Sequence, residues 1–60
     1  MQQILFTDLQ VAELLAVSRP TIWRLVREGR LAPPLRPKGR LARWHIEDIE
    51  KYVTEVRNDA

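Results

Sequence analysis

The apolar residues Leu9, Ala12, Leu14 and Leu15 recur at helical spacing, and Thr7 with Gln10 three residues later has the form of a capping box, with Phe6 and Val11 placed as a hydrophobic staple. The pattern predicts a first helix from Asp8 to about Leu15 with those four residues toward the core. Ser18 offers a second cap, Pro20 stands in the following first turn where a missing N–H costs little, and Ile22, Leu25 and Val26 form a second core stripe that Gly29 terminates. After Leu31 the helical period is lost. Pro33 and Pro34 exclude helix, and Leu35-Arg36 and Leu41-Ala42-Arg43-Trp44 flank Pro37-Lys38-Gly39-Arg40, where Pro followed by Gly two residues on suits a type II turn, so a short β-hairpin is expected. From Ile46 to Arg57 the residues Ile46, Ile49, Tyr52, Val53 and Val56 recur at three and four. They predict a third helix whose first turn carries Glu47 and Asp48 but whose start lacks a Ser, Thr, Asp or Asn cap. The predicted fold class is mainly α with a small β-hairpin, a winged helix-turn-helix in the order helix, helix, hairpin, helix.

Sixty residues without an internal spacer predict one domain over residues 1–60, and at that size folding hides only about 60% of the surface an unfolded chain exposes. Packing has to supply the stability. There is no cysteine for a disulfide or thiolate site, and the single histidine, His45, cannot build a metal centre alone, so it reads as a surface or capping residue. Apolar runs reach only three or four residues and the amino terminus has no basic stretch before an apolar block. The expectation is a soluble, cytoplasmic protein without a membrane partner.

The net charge of +2 conceals a strong polarity. Residues 19–43 carry eight basic side chains against the single acid Glu28, a charge of +7, whereas the remaining residues carry −5. A basic middle between acidic ends is the electrostatic footprint of nucleic-acid binding, and it also fits docking on an acidic protein partner.

The candidate contact residues follow from helical phase. With Ile22, Leu25 and Val26 turned inward, Pro20, Arg24 and Arg27 point away from the core at about 100° per residue, with Thr21 and Trp23 on the two flanks. An arginine fork can bind guanine O6 and N7 in the major groove or clamp a phosphate, while the plainer reading makes these residues a solubilising face. Arg19, beside the helix amino terminus, can join outward N–H groups in holding a phosphate, and its plainer readings are a solvent-facing residue or a partner for an acid of the first helix. Lys38 and Arg40 at the hairpin tip suit a DNA backbone or minor groove, and charged tips also occur on ordinary hairpins. Trp44 is expected in the core over Ile49 and Val53, with base stacking as its alternative. Trp23 suits equally a place under the wing and a contact with a sugar-phosphate edge.

Nothing points to catalysis. There is no Gly-rich phosphate loop and no Ser or Cys with a companion His, and Glu47, Asp48 and Glu50 read as a helix start and solvated face. No enzyme activity, catalytic residue, cofactor or metal is expected.

The segments LQVAELLAVSRPTIWRLVREGRLAPP and LRPKGRLARWHIEDIEKYV resemble the AlpA-like and excisionase-type small DNA-binding proteins, which share a MerR-like winged-helix fold and serve phages and integrated elements. The most specific parts are Val17-Ser18-Arg19 with Thr21 and Ile22, Glu28-Gly29-Arg30-Leu31 with the prolines after it, and Arg43-Trp44 leading to Asp48-Ile49-Glu50. The resemblance implies that the second helix enters the major groove with the wing beside it, placing DNA contacts on Arg19, Thr21, Arg24, Arg27, Lys38 and Arg40. Pro37 departs from the smaller or more flexible residue usual in such wings. The long carboxy-terminal helix and effector domain of full MerR-type regulators are not found in these residues, so no small-molecule effector is expected. Taken together, the expected function is sequence-specific binding of double-stranded DNA by a small prophage or mobile-element regulator that controls transcription or excision. Further copies on tandem sites and an integrase are the expected partners, and a protein-interaction module docking on an acidic partner is the competing class.

Overall fold

The computed structural model describes residues 3–36 and 41–59. The elements are β1 (Leu5–Phe6), α1 (Asp8–Leu15), α2 (Arg19–Arg27), β2 (Trp44–His45) and α3 (Ile46–Asp59). Three helices and a small antiparallel pairing give the expected winged helix-turn-helix class, and the cause of each boundary is local.

Thr7 caps α1: its Oγ1 accepts from the Gln10 N–H at 3.1 Å, and Gln10 Oε1 accepts from the Thr7 N–H at 3.0 Å, which closes the capping box. The helix stops where Ala16 takes a left-handed conformation (φ 58°), so that the Val17 N–H reaches the Ala12 carbonyl at 2.9 Å and the Ala16 N–H reaches that of Glu13. This is a Schellman closure with alanine in the place glycine usually takes, at a cost of about 1–2 kcal/mol. The turn it makes is only three residues, Ala16 to Ser18. Ser18 caps α2 by accepting from the Thr21 N–H, with Pro20 in the first turn. Gly29 (φ +74°) closes the far end, where the Arg30 N–H returns to the Leu25 carbonyl at 2.9 Å.

The strands differ from expectation. Leu35 and Arg43 do face each other antiparallel through two backbone bonds of 2.7 and 2.8 Å, but as an isolated bridge. The ordered pairing lies on the other side: Leu5 opposes His45 and Phe6 opposes Trp44. A two-residue strand at the amino terminus carries too short a pattern to register as period-two alternation, so no local signal announces β1. The turn residues 37–40 lie outside the described residues. His45 supplies the cap that α3 lacked by type, its Nδ1 accepting from the Glu47 N–H at 3.0 Å.

The core consists of Val11, Ala12, Ile22, Leu25, Leu31, Trp44 and Ile49, with Trp44 fully buried. The phase of α1 needs correction. Val11 and Ala12 are buried and Leu15 partly so, whereas Leu9 and Leu14 are 49% and 55% exposed. At about 100° per residue, Leu9 and Leu14 fall on opposite flanks of the Val11–Ala12–Leu15 stripe, roughly a right angle from its centre. Val53 and Val56 also remain 45% and 41% exposed. They line an open groove with Leu14 and Leu15 of α1 and Leu25 of α2.

Candidate nucleic-acid interface

The expected inward stripe of α2 holds, with Ile22 and Leu25 buried and Val26 partly buried, so its opposite side is free. Arg24 and Arg27 stand exposed on that side. Arg24 Nε is 3.9 Å from the Glu28 carboxylate, a loose contact between exposed groups, and Arg27 has no carboxylate within bridging distance among the described residues. A pair of this kind contributes at most about 0.5 kcal/mol and leaves the Arg24 fork available. Thr21 is half-buried, its Oγ1 bonded to Ser18 Oγ at 2.9 Å, so its hydroxyl completes the helix cap.

Arg19 pairs with an acid of the first helix while its side chain stays 57% exposed. Its Nη2 donates to Asp8 Oδ2 at 3.1 Å and its Nε at 3.3 Å, tying the start of α2 to the start of α1. The same oxygen accepts from Trp23 Nε1 at 3.1 Å. The half-buried Trp23 ring meets Trp44 edge-on, with centroids 5.1 Å apart and planes at 66°, and Trp44 Nε1 donates to the Ala32 carbonyl at 2.9 Å. Trp23 thus packs partly into the fold, one of its two anticipated places, and it also lines the open groove beside Arg19. Lys38 and Arg40 lie outside the described residues.

The sequence carries a signal for this role of Asp8. This residue precedes Val11, Ala12 and Leu15 by three, four and seven residues, which puts an acid on the core-facing stripe of α1. Burial alone would raise its pKa, but the bonds from Trp23, Arg19 and the Leu9 N–H, with the Arg19 charge, outweigh that and hold it below the ordinary 3.8. A depressed carboxylate contributes stability that is present above its unfolded pKa and lost as pH falls through the folded value. Asp8→Asn should therefore lower the melting temperature near neutral pH, and the gap from the wild type should close as pH drops from about 5 to about 2. Thermal melts across that window check this; a gap that stays constant would remove the carboxylate charge as the cause.

Two helices joined by a three-residue turn, the second with its polar face outward, match the helix-turn-helix domain family over residues 5–57. The chain belongs to the helix-turn-helix domain family. In helix-turn-helix proteins the second helix lies in the major groove of double-stranded DNA, and DNA binding is the function class that this membership supports. A relative in Mycobacterium tuberculosis (strain H37Rv), described as "Putative antitoxin VapB50", is 36% identical over 53 residues, which cover 88% of this chain and 39% of the relative. This helix-turn-helix chain thus spans about two fifths of that relative's length. No solved structure matches it. Among the described residues no helix is long and apolar enough to cross a membrane.

Proposed function

We propose that the protein binds double-stranded DNA sequence-specifically, with α2 as the recognition helix in the major groove. The observation that carries this is the outward face of a family-typical second helix, where Arg24 and Arg27 stand exposed with Glu28 as their only acidic neighbour on the helix end. Arg24 and Arg27 read base edges, and Arg19 and Thr21 at the helix start lie near the backbone. Lys38 and Arg40, expected from the sequence in the wing turn, touch phosphates. The role that fits a domain of this kind is a small regulator of a prophage or mobile element, controlling transcription or excision, with further copies on tandem sites or an integrase as partners.

Footprinting on the DNA around its own gene, followed by affinity measurements at several salt concentrations, tests the proposal. Binding should weaken steeply with salt, with a log-log slope near −0.9 per phosphate neutralised. Replacing Lys38 and Arg40 together by Ala should reduce that slope by about 1.8 and weaken specific and scrambled duplexes alike. An unchanged slope would take Lys38 and Arg40 out of the interface. Retention on an acidic protein with no duplex binding would favour the protein-docking class instead.

The similarity to a described antitoxin favours a second reading, in which the same DNA-binding surface serves a regulator of the antitoxin kind with a toxin protein as partner. A footprint confined to the promoter of a two-gene unit that also encodes a toxin would select this reading over the prophage one.

A further inference from the structure

Two arginines at the base of the wing have no place in the recognition-helix reading. Arg36 and Arg43 line one groove of about 360 Å³ that runs between the wing, the start of α1 and the start of α2, where Arg19 and Trp23 form the facing wall. Three guanidinium groups and one carboxylate, Asp8, share this groove, and Asp8 already accepts from Arg19 and Trp23. Arg36 and Arg43 have no carboxylate within bridging distance among the described residues. The groove therefore carries about two positive charges in excess, beside apolar surface from Trp23 and Leu41.

Two of the three forks are held in advance. Arg43 is half-buried and its Nη1 donates to the Ala42 carbonyl at 2.9 Å, and its backbone is fixed by the bridge to Leu35. Arg19 is fixed by Asp8. Preorganised side chains lose less freedom when an anion arrives, and the planar fork of arginine matches the two free oxygens of a phosphodiester. The apolar wall lowers the local dielectric and strengthens the attraction.

We propose that Arg36 and Arg43, facing Arg19 across this groove, clamp one phosphodiester of the duplex backbone flanking the major groove that α2 enters. This rests on the reading of α2 as the recognition helix, since that docking carries a backbone strand past the amino-terminal end of α2. A phosphate is common to every sequence, so the clamp sets register and affinity while Arg24 and Arg27 set specificity.

The test uses Arg36→Gln, the double variant Arg36→Gln with Arg43→Gln, and the double Lys variant, each checked for folding by circular dichroism. Duplex affinity is measured by fluorescence anisotropy over a salt series on specific and scrambled DNA. Loss of one phosphate contact should reduce the log-log slope by about 0.9 and weaken binding about tenfold at 0.1 M salt on both duplexes. The Lys variant should keep the slope, because charge sets it, while losing part of the affinity supplied by the fork. Should the double Gln variant prove unfolded, Arg36→Gln alone decides, since Arg36 is exposed. An unchanged slope in a folded variant overturns the clamp. Inorganic phosphate titrated at constant ionic strength separates a free anion from the backbone. Strong displacement by phosphate that the Gln variant abolishes, with the duplex slope kept, would make the groove a small-anion site and overturn the proposal. If the wild type binds no duplex at all, the recognition-helix reading falls first; if Arg24→Ala abolishes specific binding while the Gln variants behave as wild type, only the clamp falls.

Discussion

Trp44→Ala should leave the protein without a cooperative unfolding transition at room temperature. The ring is fully buried at the centre of a seven-residue core, stacks edge-on against Trp23 and donates its N–H to the Ala32 carbonyl. Truncating a buried tryptophan costs about 3–5 kcal/mol, and a 60-residue domain has a total stability of roughly 3–9 kcal/mol. The lost bond adds to this, because the Ala32 carbonyl loses its partner in the segment that links α2 to the wing. Trp44→Phe keeps an aromatic ring but removes the donor and two ring carbons, so it should fall between, with a loss of about 1–3 kcal/mol. Thermal and urea melts followed by circular dichroism distinguish the three proteins. A Trp44→Ala variant with an unaltered midpoint would mean that the two tryptophans are not the centre of the fold.

Arg24→Ala should do the opposite, sparing the fold and weakening recognition. The side chain is 57% exposed and, among the described residues, its only ion pair is the loose contact to Glu28, so stability should move by less than about 0.5 kcal/mol. If Arg24 reads a base, specific binding should fall by about 1–3 kcal/mol, roughly 5- to 150-fold, with little change on scrambled DNA. Equal losses on both duplexes would make it a phosphate contact. No loss on either would remove α2 from the interface.

The two experiments address different parts of the fold, and the parts were unequally legible in the amino-acid sequence. Helix boundaries are set by short-range chemistry. Thr7 with Gln10, Ser18 with Pro20, and Gly29 act within four residues of themselves, so the limits of α1 and α2 could be read directly. The inward stripe of α2 was equally plain, because Ile22, Leu25 and Val26 are the only apolar residues on a helix otherwise rich in arginine, apart from Trp23. The charge polarity that points to DNA is a property of composition along the chain and requires no fold to see it.

Only the tertiary structure decided which of several apolar residues in α1 face inward. Leu9, Val11, Ala12, Leu14 and Leu15 spread around most of the helix, and the side that is buried is the one α2 crosses, leaving Leu9 and Leu14 in solvent. The same crossing turns Asp8 toward Arg19 and Trp23. The pairing of β1 with β2 likewise depends on residues about 40 apart in sequence, with two residues on each side and no local pattern to announce them. The groove of Arg19, Arg36 and Arg43 is of this kind as well: each arginine was visible as a charge, but their convergence on one site arises from the packing of wing, α1 and α2. Local chemistry determined where elements start, stop and carry charge. Long-range packing determined which faces meet, because burial is a property of the surface that a neighbouring element covers.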